Sequence, residues 1–370
     1  MEIINNFNDA YRGKTVLVTG HTGFKGSWLS IWLKELGAKV VGYALDPFSD
    51  KDNFVLSNLS SKIIDVRGDI RDRKKLNEVF KKYSPDIVFH LAAQPLVRIS
   101  YENPVETYET NVIGTINILE EIRNNPSTKI GIIITTDKCY DNKEQLWGYK
   151  ENDAMGGYDP YSSSKGAAEL AINSWRLSFM NPVDYTKHRK SIASVRAGNV
   201  VGGGDWAKDR IIPDCIRAIE MNLPIEIRSP DAIRPWEHVL EALSGYLLLG
   251  EKMLFDPLKY CQAWNFGPEL KSIVSVWNIA ELIVKSYGKG MLKDVSDSLE
   301  LHEAKILALD ISKAKFLLGW SPRLDIHKTI ELTVDWYKKY FSFDTYDLCV
   351  DQIKIFQTTG SDIILSKNIK

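Results

Sequence analysis

Short apolar runs and amphipathic stretches alternate through the first two hundred positions of this 370-residue chain. Thr15 to Gly20 is an apolar run stopped by glycine, the pattern of a buried parallel strand. The spacing then predicts a helix from Phe24 to Leu36, with Trp28, Leu29, Ile31, Trp32 and Leu36 as its apolar side and Gly37 as its terminator. Further strands are predicted at Lys39 to Tyr43, Val66 to Ile70, Asp86 to Leu91, Ile130 to Thr135 and Ser191 to Arg196. Between them fall helices at Lys74 to Tyr83, preceded by Asp72, at Val105 to Arg123, and at Tyr161 to Met180. Strand and helix in turn predict an α/β fold, a doubly wound parallel sheet with helices on both faces.

The texture changes after Val200. Gly202-Gly203-Gly204-Asp205 reads as a loop, and prolines recur at Pro213, Pro224, Pro230 and Pro235. The pattern divides the chain into a Rossmann-type domain over 1–197, with a later return segment near 236–267, and a smaller α/β substrate lobe over 198–340. Trp264 to Gly267 looks like a strand, and 274–288 and 326–340 look helical. Beyond about residue 342 the pattern weakens, which predicts a C-terminal extension over 341–370.

Composition narrows the class. Hydrophobic residues at 44% and charged residues at 26% suit a soluble globular protein. A net charge of -1 gives no reason to expect nucleic acid or an anionic membrane as partner. No apolar run reaches the roughly 18 residues of a membrane span, and the polar N-terminus does not read as a signal peptide. Cys139, Cys215, Cys261 and Cys349 lie far apart, so neither a zinc site nor a disulfide framework is predicted. Reduced thiols in a cytoplasm are the expectation.

The chemistry gathers in three places. Gly20-His21-Thr22-Gly23-Phe24-Lys25-Gly26 is G-x-x-G-x-x-G between a predicted strand and a predicted helix. Such a loop lets the backbone approach a pyrophosphate that sits on the helix N-terminus. Asp46 follows Gly26 by twenty residues, where an acid accepts hydrogen bonds from an adenosine ribose and repels a 2′-phosphate; this favours NAD over NADP. Asp69 has two readings, an adenine contact or a cap for the next helix.

Tyr161 and Lys165 form the sole Y-x-x-x-K of the chain. A helix stacks them on one face, and a nearby ammonium favours the phenolate, so Tyr161 is a candidate base. Thr136, Asp137 and Lys138 follow the strand at 130–135 directly, at the carboxyl end where open parallel sheets line their ligand crevice. A hydroxyl, a carboxyl and an amine there suit acid–base work on a sugar; the bland reading is a strand-end turn with a solvated ion pair.

With these residues the chain resembles the extended short-chain dehydrogenases/reductases and, within them, the CDP-glucose 4,6-dehydratases. The resemblance reaches to about residue 340. It rests on the glycine loop, His90 to Arg98, Thr136 to Asn142, Met155 to Tyr161, Arg196 to Val200, Gly203 to Ala207 and Arg234 to Val239. The related dTDP-glucose dehydratases carry glutamate in place of Lys138, a departure that fits the CDP-glucose branch. The resemblance implies NAD as cofactor, held by Gly20, Thr22, Gly23, Phe24, Gly26, Asp46, Asp69, Ala92, Ala93, Tyr161 and Lys165. It implies that Tyr161 takes the proton of the sugar 4-hydroxyl while hydride leaves C4, with Thr136 on the 4-oxygen and Lys165 on the ribose. Lys138, its pKa lowered by burial, is the candidate base at C5, and protonated Asp137 the acid that expels the 6-hydroxyl as water. Hydride then returns to C6. Gln94, Arg98, Asn199, Lys208, Arg210, Arg234 and His238 are the expected substrate contacts, with surface charge as the alternative for the basic ones and simple packing for His238. The substrate so implied is CDP-glucose, and the assembly a homodimer or homotetramer built on helices near 105–123 and 161–180.

Two other classes stay open. A 4-epimerase, or a dehydratase on another nucleotide sugar, would use Tyr161 and Lys165; an epimerase has no need of Asp137 and Lys138. A non-catalytic NAD-sensing protein has no need of Tyr161 or Lys165 at all.

Overall fold

The computed structural model describes residues 7–270, 274–296 and 306–359. β1 (Thr15–Thr19) runs through the glycine loop into α1 (Phe24–Glu35) and on to β2 (Lys39–Ala44). Gly37 takes φ +79° and turns the chain out of α1, a conformation that glycine adopts without a Cβ clash. The short α2 (Asn53–Leu56), β3 (Ile64–Arg67), α3 (Arg73–Tyr83) and β4 (Ile87–His90) follow. Then come α4 (Val97–Glu102), α5 (Pro104–Tyr108), α6 (Gly114–Asn124), β5 (Ile130–Ile134), α7 (Pro160–Ser178), the one-turn α8 (Tyr185–His188) and β6 (Ser191–Ala197).

β3 sits two to three residues earlier than the pattern predicts, because Gly68 and Asp69 already turn the chain. The expected long helix at 105–123 is there, but a π-helical turn over Glu109–Ile113 interrupts it between α5 and α6. Asn111 in that turn is buried and ties down both the Gln94 backbone and the Ser164 hydroxyl. π-bulges of this kind often mark functional sites.

After β6 the chain forms β7 (Asn199–Val201), α9 (Ile211–Glu220), β8 (Ile225–Ile227), β9 (Ile233–Arg234), β10 (Trp236–His238), α10 (Val239–Phe255) and β11 (Ala263–Phe266). β12 (Val274–Ser275), α11 (Val276–Tyr287), β13 (Leu292–Asp294), α12 (Ile326–Lys339) and α13 (Thr345–Thr358) complete the described elements.

The main sheet has seven parallel strands in the order β3-β2-β1-β4-β5-β6-β11. Strand order reverses between β1 and β4, so their carboxyl ends frame a crevice. Both faces are covered, as a parallel sheet requires: one by α3, α6 and α7, the other by α1, α10 and the second lobe. Three small two-stranded sheets, β7 with β10, β9 with β12 and β8 with β13, build that lobe.

Two elements depart from the sequence pattern. The segment after 342 is no loose extension: Asp344 caps α13, which lies on α1 with Phe356 edge-on to Trp32. Its helix is masked in sequence because α13 buries a stripe that holds Gln352 and Gln357 among the apolar residues. Residues 360–370 of the expected extension lie outside the described residues. α10 is apolar nearly all round and enclosed, so it shows no amphipathic period. No described helix is long and apolar enough to cross a membrane.

Candidate active site

The glycine loop closes tightly over the carboxyl end of β1. Gly20 takes φ +73°, and a Cβ there would meet the Ala92 amide at 2.8 Å. A Cβ on Gly26 would run into the Gly20 carbonyl, so the start of α1 could not approach the strand with any larger residue. Gly23 is exposed and faces open space apart from the Gly20 carbonyl. That leaves the N-terminus of α1 bare and free for a phosphate. Thr22 is buried and donates to the Leu45 carbonyl at 3.1 Å, and Phe24 is half-buried behind the loop. Ala92 and Ala93 are half-buried just past β4, and the Ala92 amide donates to Thr19 Oγ1 at 3.2 Å.

Asp46 stands at the end of β2 with its side chain 88% exposed and Arg67 Nε 3.7 Å away. The site suits a ribose contact, and the acid is not consumed by the fold. Asp69 is not the helix cap; Asp72 caps α3. Asp69 takes the Arg71 amide and a bidentate pair of Arg71 guanidinium bonds instead. Burial opposes ionisation of Asp69, yet the Arg71 bonds prevail and hold its carboxyl below the usual range.

The catalytic candidates converge. Thr136 and Asp137 leave the carboxyl end of β5, and Thr136 caps a single 3-10 turn over Asp137–Cys139. Thr136 Oγ1 donates to Asp137 Oδ1 at 3.0 Å, while Asp137 Oδ2 is buried with no partner among the described residues. Lys138 is half-buried beside it. Asp159 caps α7 through the Ser162 amide, and Pro160 opens the first turn. Tyr161 and Lys165 therefore stack on the inner face of α7, both buried. Lys165 Nζ reaches the Ile134 carbonyl at 3.5 Å.

The expected lowering of the Tyr161 pKa by Lys165 does not occur in this structure. Burial pushes the phenol up to about 12; the Thr136 hydroxyl and Arg210 oppose that rise, and Asp137 and Asp159 add to it. Lys165 itself is pulled down to about 8, first by burial and then by the charge of Lys25. Desolvation thus outweighs the pairing that the Y-x-x-x-K spacing suggests.

A buried network sets these groups in place. Glu169, one turn beyond Lys165, accepts from Thr135, from Ser194 at 2.8 Å and from Arg196 Nη2 at 2.9 Å. Arg196 also donates to the Tyr140 hydroxyl, which donates to Asn265. Burial disfavours the Glu169 carboxylate, but Arg196 and the two hydroxyls more than compensate and keep it below the usual range. Sequence reasoning missed this network and missed two further charges in the interior, half-buried Lys25 and buried Glu237. The available signals were the i,i+4 step from Lys165 to Glu169 and the presence of Lys25, Arg196 and Glu237 inside the family motifs.

The expected substrate contacts separate. Arg210 lies close enough to Tyr161 and Lys25 to act on both, and pairs with Asp205 at 2.8 Å. Arg98 approaches Asp209 at 3.7 Å, next to Arg228, and Lys208 is exposed on the same loop. Asn199 has a buried amide oxygen with no partner among the described residues. Arg234 is buried on β9 and donates to the Ile233 carbonyl. Two of the expected contacts also bond to the fold. Gln94 spends its amide on Thr107 and on the Leu96 backbone. His238 is fully enclosed, capping α10 through Nδ1 with its ring edge-on to Trp28.

Comparison with known proteins places this geometry. The sequence matches the family described as GDP-mannose 4,6 dehydratase over residues 17–333. It is 49% identical to a CDP-glucose 4,6-dehydratase of Salmonella typhimurium over 92% of this chain and 94% of that protein. Among solved structures, a dTDP-glucose 4,6-dehydratase of Bacillus anthracis in complex with NAD superimposes with a TM-score of 0.71 at 22% identity, covering 88% of this chain and 97% of that one. A UDP-glucose 4-epimerase of Thermotoga maritima with UDP-glucose gives 0.73 at 22% identity, over 89% and 100%. The chain thus belongs to the GDP-mannose 4,6-dehydratase family of the extended short-chain dehydrogenases/reductases.

Proposed function

We propose that the protein is an NAD-dependent lyase that converts CDP-glucose to its 4-keto-6-deoxy product. The observation that carries this reading is Asp137: a carboxyl at the end of β5, buried, with one oxygen unpartnered among the described residues, set between Thr136 and the Tyr161–Lys165 helix. An epimerase has no use for such an acid, whereas loss of water from C6 does. CDP-glucose as the substrate is supported by the 49% identity to the Salmonella enzyme.

NAD, bound over the glycine loop, supplies a site that accepts and later returns a hydride. The chain's own residues do the rest. The Thr136 and Tyr161 hydroxyls hold the 4-oxygen, and Tyr161 receives its proton. Lys165 orients the nicotinamide ribose. Lys138 takes the proton at C5, which the neighbouring ketone has made acidic, and the unpartnered Asp137 oxygen delivers a proton to the departing 6-hydroxyl. Arg98, Arg210 and Lys208, with Asn199, line the mouth where a diphosphate is expected, and guanidinium forks suit that anion.

The same reading includes a dimer built on α5 to α7 and a reducing, cytoplasmic setting, to which four buried free thiols are suited. The test is mass spectrometry of CDP-, dTDP- and UDP-glucose and GDP-mannose incubated with the protein, with and without NAD⁺. Water loss from CDP-glucose alone supports the proposal. Loss from another donor overturns the nucleotide assignment, and no loss from any donor overturns the dehydratase.

A further inference from the structure

Behind the catalytic residues the structure holds two interior charges that the chemistry above does not use. Lys25 is the second residue of α1, inside the glycine loop. Glu237 is the central residue of β10, where it pairs with Val200 of β7. Its side chain is buried, and among the described residues neither carboxylate oxygen makes a well-formed hydrogen bond, the Gly198 amide offering a weak one. An unpartnered buried carboxyl is costly, so its place here calls for a counter-charge. Lys25 supplies one only in part: its ammonium sits 5.9 Å from the Tyr246 ring centroid and makes no ion pair with Glu237 close enough to count as a bond.

The surroundings locate this pair. Lys25 is within electrostatic reach of Lys165, Asp137 and Arg210, and Glu237 within reach of Asp137 and Glu241. The pair therefore lies between the bare N-terminus of α1, where a pyrophosphate rests, and the Tyr161–Lys165 dyad, where the sugar reacts. In a dinucleotide spanning those two points, the nicotinamide half occupies that interval. This placement rests on the NAD-dependent reading above.

We propose that Lys25 and Glu237 form a charge pair beneath the nicotinamide that balances the protein's affinity for the oxidised and the reduced cofactor. The oxidised ring carries a positive charge and the reduced ring does not. Ionised Glu237 favours the first, and protonated Lys25 opposes it and so favours the second. A dehydratase that returns its cofactor to the starting state must hold both forms through one turnover, and a bias of either sign would release one of them or trap the other.

Titration supports the same picture. Burial raises Glu237 to about 8, with Glu241 adding to the rise and Lys25 opposing it. Burial lowers Lys25 to about 8, against the pull of Glu237. The pair thus passes from net positive to net negative as pH climbs through that region, and preference for the oxidised cofactor grows with it. The charged and titratable groups facing the pair are Asp137 after β5, Lys165 on α7, Arg210 from the loop before α9, and Glu241 and Tyr246 on α10. Lys165 titrates in the same region. Only the pH dependence that disappears in the Lys25→Met/Glu237→Gln double variant belongs to the pair.

The experiment is equilibrium titration of the full-length protein with NAD⁺, NADH and ADP-ribose, which lacks the nicotinamide. At pH 9, where Glu237 is ionised, Glu237→Gln should raise the ratio of the NAD⁺ to the NADH dissociation constant on the order of tenfold, as loss of one nearby charge predicts. At pH 7, where Lys25 is charged, Lys25→Met should lower the ratio comparably, and ADP-ribose measures any effect of either change on the pyrophosphate end, which the ratio cancels. A ratio unmoved in both variants, or parallel loss of both affinities, overturns the pair's role and leaves the functional reading standing. Wild-type protein that binds neither cofactor overturns both. Because the variants push in opposite directions, failure of one to fold leaves the other decisive.

Discussion

At Tyr161, burial and hydrogen bonding compete for the phenol proton, and burial wins in this structure. As the proposed base, Tyr161 needs the reacting oxygen and the surrounding charges assembled around it before it can give up its proton. Tyr161→Phe should cut turnover on the order of 10²–10⁴-fold, the usual yield of a positioned acid or base, while leaving cofactor binding in place. Single-turnover rates together with NAD⁺ titration check this, and undiminished turnover would remove Tyr161 from the mechanism. Asp137→Asn makes a sharper claim. The amide keeps the hydrogen bond with Thr136 and cannot deliver a proton, so water loss should slow far more than C4 oxidation. Reduced nicotinamide absorbance should then build up during turnover, whereas equal slowing of both phases would count against Asp137 as the acid. The positions of Tyr161, Lys165, Thr136 and Asp137 were legible in the sequence because strand-end position and helical spacing are local properties. Lys25 and Glu237 were not: their enclosure depends on α1 meeting β10, more than two hundred positions away in the chain. At His238 and Gln94 the sequence left both readings open for a related reason, since a polar residue beside a crevice can face the ligand or the fold, and only the packing decides.

Among the elements, the strands and helices with one buried face were readable from their period, and so were the caps at Asp72 and Gly37. α10 and α13 were not, because one is enclosed on all sides and the other buries glutamines with its apolar residues. α10 carries its own test. Glu241 Oε1 accepts the Arg323 and Leu324 amides, both at 2.6 Å, and so pins the segment before α12 to the first turn of α10. Its second oxygen is buried without a partner among the described residues. Burial raises this carboxyl from 4.5 to about 7, against the pull of those two amides and of Arg323. A folded pKa above the unfolded one means that the group's stabilisation is complete below pH 4.5 and is lost as pH rises through about 7. Glu241→Gln keeps an acceptor for the two amides and has no proton to lose. It should match the wild type near pH 4. At pH 8 it should be the more stable by about 3 kcal/mol, because the wild type gives up about 1.36 kcal/mol for every pH unit between the unfolded and the folded value. Urea unfolding at the two pH values measures the difference, and a gain that does not depend on pH would refute the assignment.

For the molecule as a whole, the covered sheet accounts for the interior, and one apolar patch on the outside bears on assembly. α5, the π-turn and α7 pack side by side, and on their outer side Val105, Tyr108, Ile113, Leu170 and Leu177 are all exposed. Leu170 and Leu177 are seven residues apart on α7, hence on one face, and Val105, Tyr108 and Ile113 repeat the pattern on the neighbouring helix. Contiguous apolar surface of this kind marks an interaction site rather than a solvated face. A twofold contact presents the same patch from both copies, so each substituted residue is removed twice. Leu170→Glu/Leu177→Glu takes four leucines out of such a contact, each worth about 1.5–3 kcal/mol when fully buried, and sets like charges against each other. The loss exceeds what an ordinary dimer can absorb, so the double variant should sediment as a monomer at concentrations where the wild type does not. Both side chains are solvent-exposed in the single chain, so the monomer should keep its fold, which circular dichroism checks directly. An assembly unchanged by the double substitution, or a wild type that is itself a monomer, would overturn the dimer proposed on this face.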